Sequence, residues 1–272
     1  MSRPNLQQSR TCDRSFTAWP MRPAPMRAGH AGSPCCSKVL DCRLTAVCNH
    51  RRVKFLLLGA TGSTGAIVAD QVAGRGHELR VLVRDRSRFV GSSEVDVLEG
   101  DARSSGAVAE AMQGTDAVIS ALGMGLQTTP NGLMVDATAA LIEASAQTGV
   151  PRLVMMSSWG VGDTLRRSSI PVRLTYWAGR RVHGEKAVAE RSLRASTLDW
   201  TLVYPVALTN GRPSGRVRAR DLDDVDRMRG MPRISRADVA AFLVATAESG
   251  AWSRRTVVVD AQRRRATEGR LG

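Results

Sequence analysis

The segment at residues 59–65, GATGSTG, has residue types and a spacing that could hold a phosphate group. Gly59 would allow a sharp turn off a strand, Gly62 would keep side chains away from a pyrophosphate, and Gly65 would let the next helix pack closely. The phosphates would then meet free backbone N–H groups at the positive end of that helix. Further hydroxyl donors are Thr61, Ser63 and Thr64. Three glycines alone are a weak signal, but a strand-like run precedes them and a helix-like run follows, which predicts a dinucleotide site.

The end of the next strand-like run indicates which dinucleotide would bind. A site for NAD usually has an acidic side chain here, which accepts hydrogen bonds from the ribose 2′-hydroxyl group. This chain has Arg84 instead, with Arg86 two residues on, and Asp85 is expected to point to the other side. Because a cation favours a 2′-phosphate, the sequence predicts NADP(H) rather than NAD(H). The alternative is that both arginines are simply solvated.

Strands and helices alternate from Val53 onward, as the glycine turn requires. Short apolar runs predict strands at 54–59, 79–84, 95–98, 116–121, 152–157, 200–204 and 256–260. Helices are predicted at 63–74, 104–113, 132–148, 180–195 and 235–249, with Ser235 as an N-cap and Gly149 ending a helix. Continuously apolar strands are typical of a sheet that helices cover on both faces. The pattern therefore predicts an α/β fold, a single Rossmann-type domain over residues 53–262 with a doubly wound parallel sheet.

The two ends of the chain differ from this body. Residues 1–52 hold nine Lys or Arg, two Asp and all five cysteines, and they show no apolar periodicity. We interpret them as a disordered basic extension. The alternatives are a targeting peptide and a later start of translation, for example at Val53. Residues 263–272 form a basic tail. The irregular cysteine spacing favours neither a zinc site nor a disulfide framework, so we expect no metal and a cytoplasmic location.

Composition limits the classes of partner. Residues 1–52 carry +7 of the net charge of +14, and only 4% of all residues are aromatic, which does not favour nucleic-acid binding. The longest apolar run, residues 55–60, is far shorter than the roughly 20 residues of a membrane-spanning helix. The sequence thus predicts a small-molecule substrate, and neither a nucleic-acid nor a membrane partner.

Several further motifs follow the glycine turn in order. They are residues 83–85 (VRD), 99–102 (EGDA), 116–123 (DAVISALG), 153–158 (LVMMSS) and 198–205 (LDWTLVYP). On these motifs, and over residues 53–260, the chain resembles the atypical short-chain dehydrogenase/reductases. The likeness is greatest to the NAD(P)H-binding group that includes NmrA-like proteins and the flavin/biliverdin reductases.

The resemblance implies a set of cofactor contacts beyond the strand ends. Asp101 would hydrogen-bond the adenine, and Ala102 would lie against its ring. The residues implied beside the cofactor ribose, the nicotinamide and the substrate are Ala121, Leu122, Gly123, Ser157, Ser158, Pro205 and Val206. These positions agree with the rule that ligands of such sheets bind outside the carboxyl ends of the strands.

The catalytic group departs from the family pattern. Short-chain enzymes typically use Tyr-x-x-x-Lys after the fifth strand, where the tyrosine transfers a proton and the lysine holds the ribose. Lys186 matches the lysine, but Val182 stands in the tyrosine's place. Tyr176 reaching in from a loop, or His183, could replace the tyrosine, or the proton could come from solvent. The predicted catalytic residues are Ser157, Lys186 and Tyr176.

Three segments, 124–130, 159–177 and 208–231, are expected to form loops over the cofactor. The second contains Trp159, Tyr176 and Trp177, which could stack on a planar ligand. The third contains arginines that either attract an anionic substrate or are solvated: Arg212, Arg216, Arg218 and Arg220. The sequence therefore predicts NADP(H)-dependent hydride transfer to a small planar acceptor such as a flavin or a quinone, with the protein supplying binding and orientation.

Two other functions stay open. The missing tyrosine favours a redox sensor of the NmrA-like kind, which would bind NADP(H) without turnover and act through a protein partner. An epimerase-like activity on a nucleotide sugar is less favoured, because moving the proton would require that tyrosine.

Overall fold

A computed structural model describes residues 52–123, 131–178 and 180–262 of the chain. The predictions made for residues 1–51, for the segment 124–130 and for the tail at 263–272 lie outside the described residues. Among the helices of these described ranges, none is long and apolar enough to cross a membrane.

The centre of the fold is an eight-stranded sheet. Its strands are β1 (Lys54–Leu58), β2 (Glu78–Val83), β3 (Asp96–Glu99), β4 (Ala117–Ser120), β5 (Arg152–Met156), β6 (Asp199–Pro205), β8 (Val217–Asp221) and β10 (Arg255–Ala261). They lie in the order β3-β2-β1-β4-β5-β6-β10-β8. All neighbours pair in parallel except β8, which pairs antiparallel with β10 at one edge. The predicted Rossmann-type doubly wound sheet is confirmed, and all seven predicted strands belong to it.

Helices cover both faces of this sheet. They are α1 (Ser63–Gly74), α2 (Ser105–Met112), α3 (Leu133–Thr148), α4 (Thr164–Arg167), α5 (Ile170–Ala178), α6 (Arg180–Ala195) and α7 (Arg236–Ser249). Helix α1 packs on α7, while α3 packs on both α2 and α6. The two predicted helix ends are confirmed: Ser235 accepts a hydrogen bond from the backbone N–H of Asp238, and Gly149 ends α3 with a φ of 72°.

The sequence of the central strands explains their position. Strand β4 is buried at all four residues and β5 at all five, as expected where helices cover both faces of a parallel sheet. From β1, the strands β2 and β3 are added towards one edge of the sheet, whereas β4, β5 and β6 are added towards the opposite edge. The crevice between the ends of β1 and β4 is therefore the point where strand order reverses, which is where such sheets bind ligands.

Two of the predicted loops contain regular structure. Residues 159–177 include helix α4 and most of α5, and residues 208–231 include β8 and part of β7 (Ala207–Thr209), which pairs with β9 (Arg233–Ser235) in a second small sheet. The apolar runs in these segments are too short to show a helix or strand periodicity. The strands that pair with β7 and β8 are also distant in sequence.

The prediction that Arg218 and Arg220 of the segment 208–231 are solvated or attract an anionic substrate is wrong. Arg218 donates two hydrogen bonds to Asp260 across the edge of the sheet, at 2.8 and 2.6 Å, and Arg220 donates a third at 3.2 Å. Asp260 is only 2% exposed. Because both arginines pair with this buried carboxylate, they are neither simply solvated nor free to attract an anionic substrate.

Replacing Gly65 with alanine should destabilise the fold by about 1–3 kcal/mol, the usual range for overpacking. A Cβ at this position would overlap the carbonyl oxygen of Gly59 and lie 2.7 Å from its carbonyl carbon. At Gly74, in the same helix, a Cβ would meet no atom within 4 Å, so Gly74→Ala should be neutral or stabilise by roughly 0.5–1 kcal/mol. Urea unfolding of both variants measures the difference; equal stability of the two would contradict the close packing of the turn.

Candidate functional site

The glycine turn joins β1 to α1 and forms one wall of the β1/β4 crevice. Gly59 has a φ of 83°, and a Cβ there would lie 2.9 Å from the backbone of Ala121 and Leu122. Only glycine avoids both the positive-φ strain and this contact. The first turn of α1 follows with Gly62 as its N-cap, and no side chain caps the helix end. The positive end of α1 is thus available to a negatively charged group.

The cleft beside this turn gathers most of the predicted cofactor residues. It is lined by Gly59, Ala60, Thr61, Gly62, Leu82, Val83, Arg84, Gly100, Asp101, Ala102, Ala121, Leu122, Gly123 and Leu133. Most of these residues lie at or just after the ends of β1, β2, β3 and β4, so four strand ends contribute to one site. Of the other hydroxyl residues in the turn, Ser63 is exposed and Thr64 is buried.

The charged residues of this cleft have defined surroundings. Asp85, next to Arg84, turns back to accept hydrogen bonds from the backbone N–H and hydroxyl of Ser87, which lowers the pKa of Asp85. Asp101 pairs with Arg103 at 2.7 Å, and this hydrogen bonding lowers the pKa of Asp101. Arg84 is exposed at the cleft and contributes a weaker attraction to Asp101. The cleft therefore presents one exposed guanidinium beside an ionised carboxylate.

The two serines that follow β5 point to different surroundings. Ser157 is 4% exposed, and its hydroxyl donates to the carboxylate of Glu190. Ser158 accepts a hydrogen bond of 2.9 Å from the Nζ of Lys186 and lines a cavity at the ends of β5 and β6. Of this pair, it is therefore Ser158 that lines the cavity and binds Lys186, while Ser157 is directed to Glu190 in the interior.

A buried carboxylate, Glu190, organises this region, and sequence reasoning missed it. Glu190 is 2% exposed and accepts hydrogen bonds from the hydroxyls of Ser157 and Tyr204, while Arg194 lies 3.6 Å away. Burial raises the pKa of Glu190, against these hydrogen bonds and the nearby cations. The available signal was its position four residues after Lys186, which places both on one face of α6.

Burial also shifts the pKa of Lys186, in the direction opposite to that of Glu190. Burial lowers the pKa of Lys186, and the neighbouring carboxylate of Glu190 opposes that shift. A lysine in this setting can hold a polar group or give up a proton more readily than a solvated one.

Tyr176 lies on helix α5 and not on a loop, which corrects the sequence-based expectation. Its ring stacks on the imidazole of His183, with centroids 3.5 Å apart and an interplanar angle of 17°. Among the described residues, neither the Tyr176 hydroxyl nor the His183 Nδ1 has a hydrogen-bond partner. Burial raises the pKa of Tyr176 and lowers the pKa of His183 to about 4, so both are neutral near pH 7.

The cavity beyond β5 and β6, which we call the inner cavity, has a volume of about 420 Å³. It brings together Ser158, Trp159, Val172, Tyr176, His183, Pro205, Val206, Ala207, Leu208, Met231, Pro232 and Arg236. The predicted nicotinamide-side residues Pro205 and Val206 are among them. Two of the three aromatic residues predicted for substrate stacking, Trp159 and Tyr176, also line this cavity, whereas Trp177 does not.

Comparison with known proteins identifies the family of this chain. Residues 59–249 match the family model described as NAD(P)H-binding. The chain belongs to this family. The match begins at the first glycine of the turn and ends with α7, so it contains every residue that lines the cleft.

Relatives and solved structures agree with this assignment. The uncharacterized sugar epimerase YhfK of Bacillus subtilis is 29% identical over 202 residues, which cover 71% of this chain and 87% of YhfK. The structure of the anaerobillin reductase ChuY from Escherichia coli superposes with a TM-score of 0.63 at 24% identity, covering 78% of this chain and 98% of ChuY. A short-chain dehydrogenase/reductase of Veillonella parvula, solved in complex with NADP, gives a TM-score of 0.62 at 17% identity and covers 76% and 94%.

These findings confirm the resemblance drawn from the motifs. The chain is an NAD(P)H-binding protein, and it is similar to the atypical short-chain dehydrogenase/reductases.

The variant Glu190→Gln should become more stable relative to the natural protein as the pH rises from about 5 to about 8. Burial raises the pKa of Glu190 in the folded state, so the folded protein holds this proton more tightly than the unfolded chain. Ionisation of Glu190 therefore costs stability, and that cost grows as the pH rises through and above the ordinary glutamate pKa. Glutamine removes the titration. Urea unfolding at several pH values measures the difference.

The exposed Glu110 provides the control, because Glu110→Gln makes the same chemical change without burial. A stability difference for Glu190→Gln that does not change with pH would show that this carboxylate is not destabilised by its surroundings.

Proposed function

We propose that this protein is an NADP(H)-dependent oxidoreductase that transfers hydride to a small planar acceptor such as a flavin or a quinone. One observation carries the proposal. The cleft with the glycine turn and Arg84 lies at the ends of β1 to β4, and the inner cavity lies at the ends of β5 and β6 of the same sheet. A dinucleotide bound along this edge would have its phosphates at α1 and its nicotinamide beside the inner cavity.

The residues present suit the adenosine half of this cofactor. The uncapped end of α1 would hold the pyrophosphate, with Thr61 as a side-chain donor. Arg84 would pair with a 2′-phosphate, because a guanidinium makes charge-assisted hydrogen bonds to phosphate oxygens. Asp101 and Ala102 would contact the adenine. This arrangement supports NADP(H) as the cofactor.

The residues beyond β4, β5 and β6 would hold the other half. Ala121, Leu122 and Gly123 line the path from the cleft, and Pro205 and Val206 lie at the inner cavity. Lys186 would reach the ribose or the acceptor beside Ser158, its partner at 2.9 Å. In its reduced form the bound cofactor supplies a hydride from its nicotinamide ring.

The inner cavity would hold the acceptor. Trp159 offers an aromatic face on which a flat ring can stack, and Tyr176 lines the same cavity with its ring stacked on His183. A quinone takes up a hydride and one proton to give the quinol, while NADPH becomes NADP⁺. The proton would come from solvent or through Lys186, whose pKa is lowered by burial, so the tyrosine missing at position 182 is not required.

The variant Arg84→Glu should lose NADPH affinity by roughly tenfold to hundredfold and change NADH affinity little, since only NADPH has the 2′-phosphate. Binding of both nucleotides is measured by fluorescence titration of the purified protein. Arg191→Glu is the matched control, because Arg191 is also exposed but lies on α6, outside the cleft lining. Equal losses for NADPH and NADH would argue against a 2′-phosphate contact, and no binding of either nucleotide by the natural protein would reject the cofactor proposal.

A redox sensor is the second candidate, and one observation favours it. The two residues that could replace the tyrosine stack on each other, and neither the Tyr176 hydroxyl nor the His183 Nδ1 has a hydrogen-bond partner among the described residues to pass a proton on. Burial also raises the pKa of Tyr176 and lowers that of His183 to about 4. A sensor would bind NADP(H), turn over no acceptor and pass the signal to a protein partner.

Steady-state oxidation of NADPH separates the two candidates. With FMN or menadione as the acceptor, an enzyme should show saturable turnover, and Lys186→Met should lower it roughly tenfold to hundredfold through loss of a charged hydrogen-bond donor. Arg191→Met, an exposed position on the same helix, should leave turnover unchanged. Tight NADPH binding with no turnover of any planar acceptor would favour the sensor.

A further inference from the structure

A second cavity adjoins the inner one and extends the candidate site. This outer cavity has a volume of about 880 Å³ and lies between α5, α6 and the segment that follows β5. Tyr176 and His183 line both cavities. The stacked pair of rings is thus a shared wall, with the acceptor side of the proposed active site on one side and the outer cavity on the other.

The outer cavity is mainly apolar and opens to solvent along α5. Ile170, Leu174 and Trp177 line it and are 63%, 66% and 69% exposed. Their spacing of four and three residues puts them on one face of the helix. Leaving three large apolar side chains this exposed on one short helix is unfavourable unless a ligand or partner covers them.

The Tyr176 ring in this wall fits only because the residue beside it, Gly160, has no side chain. Gly160 has a φ of 101°, and a Cβ there would lie 2.8 Å from the Tyr176 ring. The ring therefore packs closely against the segment after β5. Its hydroxyl and the His183 Nδ1 have no hydrogen-bond partner among the described residues, and a buried polar atom without a partner is costly. A polar atom on the head of a ligand bound beside this wall would offer these atoms a partner.

We propose that the outer cavity is a second acceptor subsite, which binds the apolar chain of an amphiphilic acceptor whose planar head occupies the inner cavity. The proposal rests on the proposed oxidoreductase function for the identity of the head. It adds that the acceptor is a molecule with two parts, a flat redox-active ring and an extended apolar substituent.

A second copy of the chain is a less suitable occupant for this face. Among the residues that line the outer cavity, the charged one is Arg173. A two-fold interface brings the same surface of both copies together, so the Arg173 guanidinium groups of the two copies would be brought close to each other. An apolar chain of a small molecule covers the same side chains without that repulsion.

The test uses two quinones with the same head. Ubiquinone-0 has no chain, and decylubiquinone has a saturated ten-carbon chain. Binding is measured by quenching of tryptophan fluorescence without NADPH, so that it does not depend on turnover. The variant Leu174→Ser removes an apolar wall of the outer cavity at a position that is 66% exposed. Val90→Ser is the control, since Val90 is 91% exposed and precedes β3.

Each buried methylene group is worth about fourfold in affinity, so the natural protein should bind decylubiquinone at least about tenfold more tightly than ubiquinone-0. Leu174→Ser should lower this preference by roughly fourfold or more, and Val90→Ser should leave it unchanged. Affinity for ubiquinone-0 should be the same in all three proteins, because the inner cavity is intact.

Equal affinity of the natural protein for the two quinones would overturn the proposal, and so would a chain preference that Leu174→Ser retains. A separate assay of NADPH oxidation with each quinone keeps the two proposals apart. Chain-dependent binding without oxidation would support the subsite and count against hydride transfer to quinones. Oxidation at equal rates and affinities for both quinones would support the enzyme and reject the subsite.

Discussion

Contact between two backbone segments at the ends of β1 and β4 holds the candidate site together. Gly59 turns the chain off β1 with a positive φ, close enough to Ala121 and Leu122 that any side chain would clash. Gly65 then brings α1 against that same turn. These approaches fix the direction of α1, so that its positive end faces the cleft between β1 and β4. Every proposed contact with the cofactor depends on this arrangement.

At the ends of β5 and β6, the site is held together by a buried carboxylate, Glu190, and not by close backbone contact. Glu190 holds Ser157 after β5 and Tyr204 near the end of β6, and it lies on the same helix as Lys186. A buried carboxylate is costly unless it is well hydrogen-bonded. Here two hydroxyls and Arg194 offset part of that cost, and burial still raises the pKa of Glu190. Ser157 precedes Ser158 and Glu190 follows Lys186 by four residues, so this network positions the Ser158–Lys186 pair beside the inner cavity through residues that do not line it.

The two halves differ in how readily sequence reveals them. The residues 59–65 were recognisable because the glycine turn is local: strand, turn and helix follow within some 20 residues, and the spacing alone defines the geometry. Arg84, Asp101 and Ala121 follow from the same logic, since each lies at or just after the end of a predicted strand and the ends of parallel strands meet at one edge. All of them line one cleft in the structure. By contrast, the roles of Tyr176 and Ser157 depend on partners, His183 and Glu190, whose packing against them no spacing rule specifies.

The sequence by itself determined the α/β class, the parallel sheet and the position of the glycine turn, because alternating apolar runs and local turn chemistry are properties of short segments. Only the tertiary structure decided where the segments 159–177 and 208–231 lie. Helix α5 is short and has apolar residues on both its buried and its exposed sides, Tyr176 being buried while Leu174 and Trp177 are exposed, so its sequence has no single apolar face to detect. The pairing of Arg218 and Arg220 with Asp260 joins residues some 40 positions apart, and such contacts exist only once the strands are adjacent in space.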